Sequence, residues 1–143
     1  MSVGRFCVRH VVTVHPAASV QDAAERMAQR NVGALIVVDE HKPVGIVTDR
    51  DLVVRVLAKR CSPQTEVGSV MTPEPICIAE DAPLEGATDR MKFHRVRRLV
   101  VLDSDQKVVG IITLDDILEL LAEERQALAA VTSVMRAVRQ ETL

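Results

Sequence analysis

The sequence predicts an α/β protein built from two tandem βαββα repeats packed sheet to sheet with pseudo-twofold symmetry, plus a long C-terminal helix. Three observations predict it. The phrase VGIVTDRDL at residues 44–52 returns as VGIITLDDI at residues 109–117, keeping Gly, two branched apolar residues, Thr and Asp. Upstream, Met27 and Met91, Val32 and Val96, Leu35 and Leu99, and Asp39 and Asp103 recur at a separation of 64 residues, while the glycines of the two phrases are 65 apart. The one added residue falls in DSDQKVVG relative to DEHKPVG, where a hairpin turn tolerates insertion. Finally, apolar residues fall on a seven-residue register from Leu114 onward, past the end of the second repeat.

Each repeat starts with a short strand, VVTV in the first and PICI in the second. A helix follows. Its start is signalled by Ser19 with Asp22 in the first copy and by Asp81 and Pro83 in the second. Helical spacing places Val20, Ala23, Ala24 and Met27 on one face, matched by Leu84, Ala87, Thr88 and Met91. Two branched apolar runs come next, ALIVVDE with KPVGIVTD and RLVVLDS with KVVGIIT, as expected of buried paired strands joined by short turns. Closing helices begin near RDLVVRVLAKR and DDILELLAEER.

Residues 1–60 are read as repeat 1, 61–75 as a linker rich in Pro, Ser, Thr and Gly, 76–125 as repeat 2, and 126–143 as a helical extension. Single repeats of around sixty residues make marginal cores, so the two halves are expected to share one domain. In the tail, Leu114, Leu121, Leu128 and Met135 form one row of a seam, and Ile117, Glu124, Val131 and Val138 the other, broken only by Glu124. A helix from Asp115 to about Gln140 exceeds what so small a domain needs, and a second subunit is expected to cover its far end as a homodimer.

Composition narrows the function. A formal net charge of -2 and a pI near 6.1 give no overall basic surface for nucleic acid or anionic lipid. Phe6 and Phe93 are the only aromatic residues, so stacking platforms for single strands are missing and any bound base must lie against aliphatic side chains. Apolar runs are of strand length, and the first residues lack the pattern of a secretory signal, so a cytoplasmic protein without a membrane span is expected. Cys7, Cys61 and Cys77 have neither disulfide nor zinc spacing and are expected to be buried as small hydrophobes. The scattered histidines propose no metal site, and no nucleophile, general base or phosphate loop motif is present, so no catalytic residue is assigned.

The repeated phrase has its own chemistry. With Thr48 at an N-cap and Asp51 in the first turn, free backbone N–H groups and a partial positive charge suit a phosphate. Asp51 can accept hydrogen bonds from a vicinal diol such as ribose, and Thr113 with Asp116 repeats the arrangement. The same Thr-x-x-Asp pair is equally a capping box, which stabilises a helix start without any ligand. The residues alone leave both open.

The stretches VGSVMTPEPICIAEDAPLEGATDRM and HRVRRLVVLDSDQKVVGIITLDDI, with VVTVHPAASVQDAAERMAQRNVGALIVVDEHKPVGIVTDRDL before them, give a layout that resembles a pair of CBS domains, the regulatory Bateman module. The resemblance implies a cleft site for each repeat that takes an adenosine-containing ligand: AMP, ADP, ATP, NAD or S-adenosylmethionine. It maps ribose binding onto Asp51 and Asp116 (with Asp115 beside it) and phosphate contact onto Thr48 and Thr113. Apolar lining is implied for Ile46, Ile111 and the strands holding Val14 and Ile78. Arg98 stands where the family often carries a phosphate-binding basic residue, and Arg50 stands in for it in the first copy. The site of Thr113, Asp116 and Arg98 is therefore expected to be the tighter.

Two departures stand out. The Met71-Thr72 opening aligns with Cys7 and Val8, and the family's usual proline in the second strand is Ile36 or Val100. The reading is a non-catalytic sensor that signals to a separate, unidentified effector protein. The alternatives are a nucleic-acid-binding protein using HRVRR, or a purely structural dimer whose Thr-x-x-Asp elements are only caps.

Overall fold

The computed structural model describes residues 1–141. A short helical turn α1 (Val3–Phe6) precedes the first repeat: β1 (Thr13–Val14), α2 (Val20–Arg30), β2 (Ala34–Asp39), β3 (Lys42–Thr48) and α3 (Asp49–Asp51), which continues as a wider π-type turn over Leu52–Leu57. After a 3-10 turn at Val67–Ser69 come β4 (Thr72–Pro73) and the second repeat: β5 (Cys77–Ala79), α4 (Leu84–His94), β6 (Arg98–Leu102), β7 (Val108–Thr113) and α5 (Leu114–Glu141). The βαββα order is thus present twice, and the long terminal helix is continuous to the last described residue.

Within each sheet the first strand runs parallel to the second and the second antiparallel to the third. Both hairpins carry a register shift at the same place, between Val37 and Val38 and between Val101 and Leu102. The first hairpin turns through Glu40 and His41 at φ 49° and 68°. The second holds its extra residue by letting the Asp103 carboxylate accept from the Asp105 and Lys107 N–H groups at 2.9 and 3.0 Å.

Helical periodicity is met residue by residue: Val20, Ala23 and Met27 lie buried on the first sheet, and Leu84, Ala87 and Met91 on the second. Between the sheets lies a third apolar layer centred on Ile36, Val100 and Leu102, joined by Ile46 and Ile111. Ile36 and Val100, at matching positions on β2 and β6, are 1% and 0% exposed and seal the sheet-to-sheet contact.

The segments that open the two repeats are exchanged. Thr72 and Pro73 open the second repeat in sequence but pair with Ile46 and Gly45 of the first sheet, while Val8 pairs with Ile111 of the second. The exchange is symmetric in detail. Val67 and Gly68 donate to the carbonyls of Ala18 and Pro16, and Val3 and Gly4 to those of Ala82 and Glu80, each at 2.8 Å. Val3 and Val67 are both fully buried, each in the core of the opposite half. The Thr65 carbonyl takes the free Val20 N–H at the start of α2, and the Met1 carbonyl takes that of Leu84 at the start of α4, at 2.8 and 3.0 Å.

This exchange explains the recurrent glycine. A Cβ on Gly45 would come within 2.8 Å of the Thr72 carbonyl oxygen, and one on Gly110 within 2.8 Å of the Val8 carbonyl oxygen. Cys7–Val8 therefore fills the place of Met71–Thr72 despite its different side chains.

Two local expectations are corrected. The start of α4 is capped by no side chain: Pro83 occupies the N-cap position, and the Met1 carbonyl replaces the anticipated Asp81. The cysteines are not uniformly buried: Cys61 is exposed, while Cys7 and Cys77 are half-buried. Burial raises the thiol pKa at Cys7, partly offset by Arg9, and at Cys77, partly offset by Arg90.

Candidate functional site

Both repeated phrases end in a hydrogen-bonded box. Thr48 Oγ1 accepts from the Asp51 N–H at 3.1 Å, and Asp51 Oδ2 from the Thr48 N–H at 2.9 Å. Thr113 and Asp116 repeat this at 3.1 and 3.0 Å. The capping role is thus realised in each copy, and it occupies only one oxygen of each carboxylate. At Asp51 the other oxygen faces the Arg55 guanidinium at 3.7 Å. Arg55 also donates to the Val70 and Met71 carbonyls at 2.9 and 3.3 Å, tying the box to the exchanged segment.

Two clefts flank the layer between the sheets. The first, of about 300 Å³, takes Ile46, Thr48 and Asp51 from the first repeat and Val96, Arg97 and Arg98 from the second, with the exchanged strand closing it through Thr72, Glu74, Pro75 and Ile76. The second, of about 240 Å³, takes Ile111 and Thr113 from the second repeat and Val32, Gly33 and Ala34 from the first, closed by Val8, His10, Val11 and Val12. Arg98 lines both. Each cleft therefore combines the Thr turn of one repeat with the strand entry of the other, and the arginines aligned with Gly33 and Ala34 face Thr48 and Asp51.

Of the residues anticipated from sequence, Ile46, Thr48, Asp51 and Arg98 meet in the first cleft, and Ile111, Thr113 and Arg98 in the second. Five do not line either. Val14 and Ile78 are 2% and 3% exposed in the helix-covered cores, because the strands enter the clefts two residues earlier, at Val12 and Ile76. Arg50 is exposed outside the first cleft, Asp115 bonds Arg97 at 3.2 Å, and Asp116 closes its box beside the second cleft without lining it. Arg98 is not the property of the second site but is shared, because Arg98 pairs with Thr113 across the ladder while β6 abuts the other repeat.

Residues the sequence reading missed include Glu74, Pro75, Arg97 as a cleft residue, and His10. The signal for the closing segments was the glycine at 45 and 110, which admits a strand crossing close by. Charge then separates the clefts: the first gathers Asp51 and Glu74 against Arg97 and Arg98, and the second has His10 and Arg98 with no carboxylate among the described residues of its wall. Among the described residues Arg98 has no ion-pair partner. Also among them, no group of three His, Cys, Asp or Glu side chains is placed to hold a metal, and no helix is long and apolar enough to cross a membrane.

A family model described as CBS domain matches residues 3–58 and 67–123. The CBS domain-containing protein YhcV of Bacillus subtilis is 36% identical over 133 residues, covering 93% of this chain and 94% of that protein. Among solved structures, the CBS domain pair of protein MJ0100 in complex with 5′-methylthioadenosine and S-adenosyl-L-methionine superposes with a TM-score of 0.75 at 29% identity, covering 87% of this chain and 98% of that one. CBSX2 in complex with AMP superposes with a TM-score of 0.71 at 30% identity, again over 87% and 98%.

Proposed function

The chain belongs to the CBS-domain family, and on that premise we propose that it is a non-catalytic regulatory module that binds an adenosine-containing ligand in the first cleft. The observation that carries this reading is the meeting there of Thr48 and Asp51 with Arg97 and Arg98 across an apolar wall of Ile46, Ile76 and Val96. Asp51 accepts from ribose hydroxyls through the oxygen its cap leaves free, Arg98 donates to a phosphate, and the aliphatic wall takes the base. AMP and S-adenosylmethionine bound to the similar CBS proteins support the ligand class. The second cleft, with one shared arginine and no carboxylate, is the weaker site. This reverses the ranking expected from alignment.

Such a module signals by binding two arrangements of its repeats or subunits with different affinity. The exposed apolar seam of α5 points to the subunit level: Leu121, Leu128, Val131 and Met135 are 49%, 69%, 59% and 64% exposed, on a face that a second copy of the helix would bury as a homodimer. An effector protein receives the output.

Isothermal titration of the full chain with adenosine and AMP tests the site, with the protein first denatured and refolded to strip co-purified ligand, which mass spectrometry then identifies. Binding of both, AMP the tighter, supports it; no heat and no co-purified adenosine compound would overturn it. Light scattering of a chain ending at residue 125 tests the assembly. Loss of the dimer mass is expected, and an unchanged mass removes α5 as the interface.

A further inference from the structure

We propose that the basic groove at the C-terminal end of α4 is a docking site for an acidic segment of the effector protein, in which carboxylates flank a bulky apolar residue. This rests on the reading of the chain as a module whose output a separate protein receives. The groove, of about 320 Å³, has an apolar floor of Met91, Val96 and Leu114 and a rim of Lys92, Arg95 and Arg97. Met91 is buried and all three cations are exposed. No carboxylate is among the described residues of the groove's wall.

Among the described residues neither Lys92 nor Arg95 has an ion-pair partner. Arg97 meets Asp115 at 3.2 Å, but both side chains are exposed, at 69% and 79%, so a contact this weak is readily exchanged for an incoming carboxylate. The chain carries a net charge of -2, so the cluster is a local feature and not a by-product of composition. The first repeat keeps the floor residues as Met27 and Val32 but has Ala28, Asn31 and Gly33 at the aligned rim positions and Asp49 in place of Leu114. Duplication supplied the floor, and the cations were set on one copy.

Floor and rim together select the partner. Clustered cationic side chains recognise acidic motifs through charge-assisted hydrogen bonds. A bare anion or a phosphodiester backbone meets the rim but leaves Met91, Val96 and Leu114 uncovered, whereas a peptide covers them with one apolar side chain while its flanking carboxylates reach the cations. Among the described residues no aromatic side chain lines the groove to stack a base. Val96 and Arg97 also line the first cleft, so a partner seated here shares two residues with the adenosine site.

The test pans a random peptide library displayed on phage against the full chain and measures the enriched peptides, made synthetically, by fluorescence anisotropy. Peptides with acidic residues around a bulky apolar one should emerge. Their affinity should fall roughly ten-fold or more in the Lys92→Ala/Arg95→Asn double variant, which installs the residues of the first repeat. Neither residue lines the first cleft, so AMP affinity by calorimetry should stay within about two-fold, and a thermal melt by circular dichroism confirms the fold. Enrichment of no acidic motif, peptide binding that the variant leaves unchanged, or an equal fall in AMP affinity overturns the proposal. So do displacement of the peptide by a duplex DNA oligonucleotide, which assigns the surface to nucleic acid, and loss of the dimer mass in the variant, which assigns it to the acidic first turn of α5 in a second copy. Each of these results leaves the adenosine reading standing, and only the absence of AMP binding to the wild type overturns that reading.

Discussion

In the first repeat Asp51 is held from two sides, by the Thr48 N–H and by the Arg55 guanidinium; in the second, Asp116 is held by the Thr113 N–H, and the residue aligned with Arg55 is Leu120, packed against the second core. The backbone around the two aspartates is the same down to a tenth of an ångström in the box bonds, and the exchanged segments dock through matching hydrogen bonds. Duplication has preserved what folding needs of each half, while side chains outside that scaffold have been free to diverge. The divergence is one-sided: arginines gather where the second repeat faces the first repeat's turn.

The strongest test of the shared scaffold is the pair of crossing glycines. Gly45→Val and Gly110→Val each drive a branched side chain against a backbone carbonyl, and backbone cannot swing aside as a side chain can. Each variant should lose about 3 kcal/mol or more of stability in denaturant titrations. Similar losses in both would sustain the equivalence of the halves. A neutral Gly110→Val would mean that residues 1–8 dock far more loosely than 65–72.

The diverged features answer to ligand affinity instead. Asp51→Asn and Asp116→Asn both keep an oxygen that can accept the cap N–H, so stability should move by no more than about 0.5 kcal/mol in either. Replacing a charged acceptor of ribose hydroxyls by a neutral one costs about 1.4 kcal/mol, or roughly ten-fold in AMP affinity, and only Asp51 lines a cleft. Asp116→Asn should therefore change calorimetric AMP affinity by less than about two-fold. Equal losses would erase the asymmetry between the clefts.

The parts of this molecule legible in sequence were those written in short-range pattern. Val20, Ala23 and Met27 announced a buried helical face, ALIVVDE announced a strand, and Thr48 with Asp51 announced a cap. The parts that were not legible depend on which half a segment packs against. Arg98 aligns with Ala34 of the first repeat, and only the packing of the two sheets across the layer of Ile36 and Val100 brings it to face Thr48 of that repeat. Likewise Val3-Gly4 and Val67-Gly68 recur at a separation of 64, but two shared residues in a short segment do not reveal that each docks across the pair. Val14 and Ile78 lie buried one step beyond Val12 and Ile76, through which their strands line the clefts, because a strand assignment places a face, not a depth along it. The π-type turn at Leu52–Leu57 carries bonds such as Ala58 N–H to Val53 C=O at 2.9 Å, a register that apolar spacing alone does not distinguish from an α-helix.

The smallest effect separates folding from function at a single position. Helices α2 and α4 both end in the left-handed region, Asn31 at φ 52° and ψ 49° and Arg95 at φ 56° and ψ 44°. Asn tolerates this conformation through its short polar side chain, whereas a long side chain in it costs about 1 kcal/mol. Arg95→Asn should therefore stabilise the protein by about 0.5–1 kcal/mol, and Asn31→Arg should destabilise it by a similar amount, measured as opposite shifts of the urea midpoint at unchanged m-value. A duplicated unit under selection for stability alone would carry Asn or Gly at both helix ends. Retention of a strained arginine beside Lys92 and Arg97, with which it lines one surface groove, is the pattern expected where a side chain is kept for what it binds. An Arg95→Asn variant no more stable than the wild type would remove the strain from that argument, and with it the sign that the second copy gave up stability for its charge.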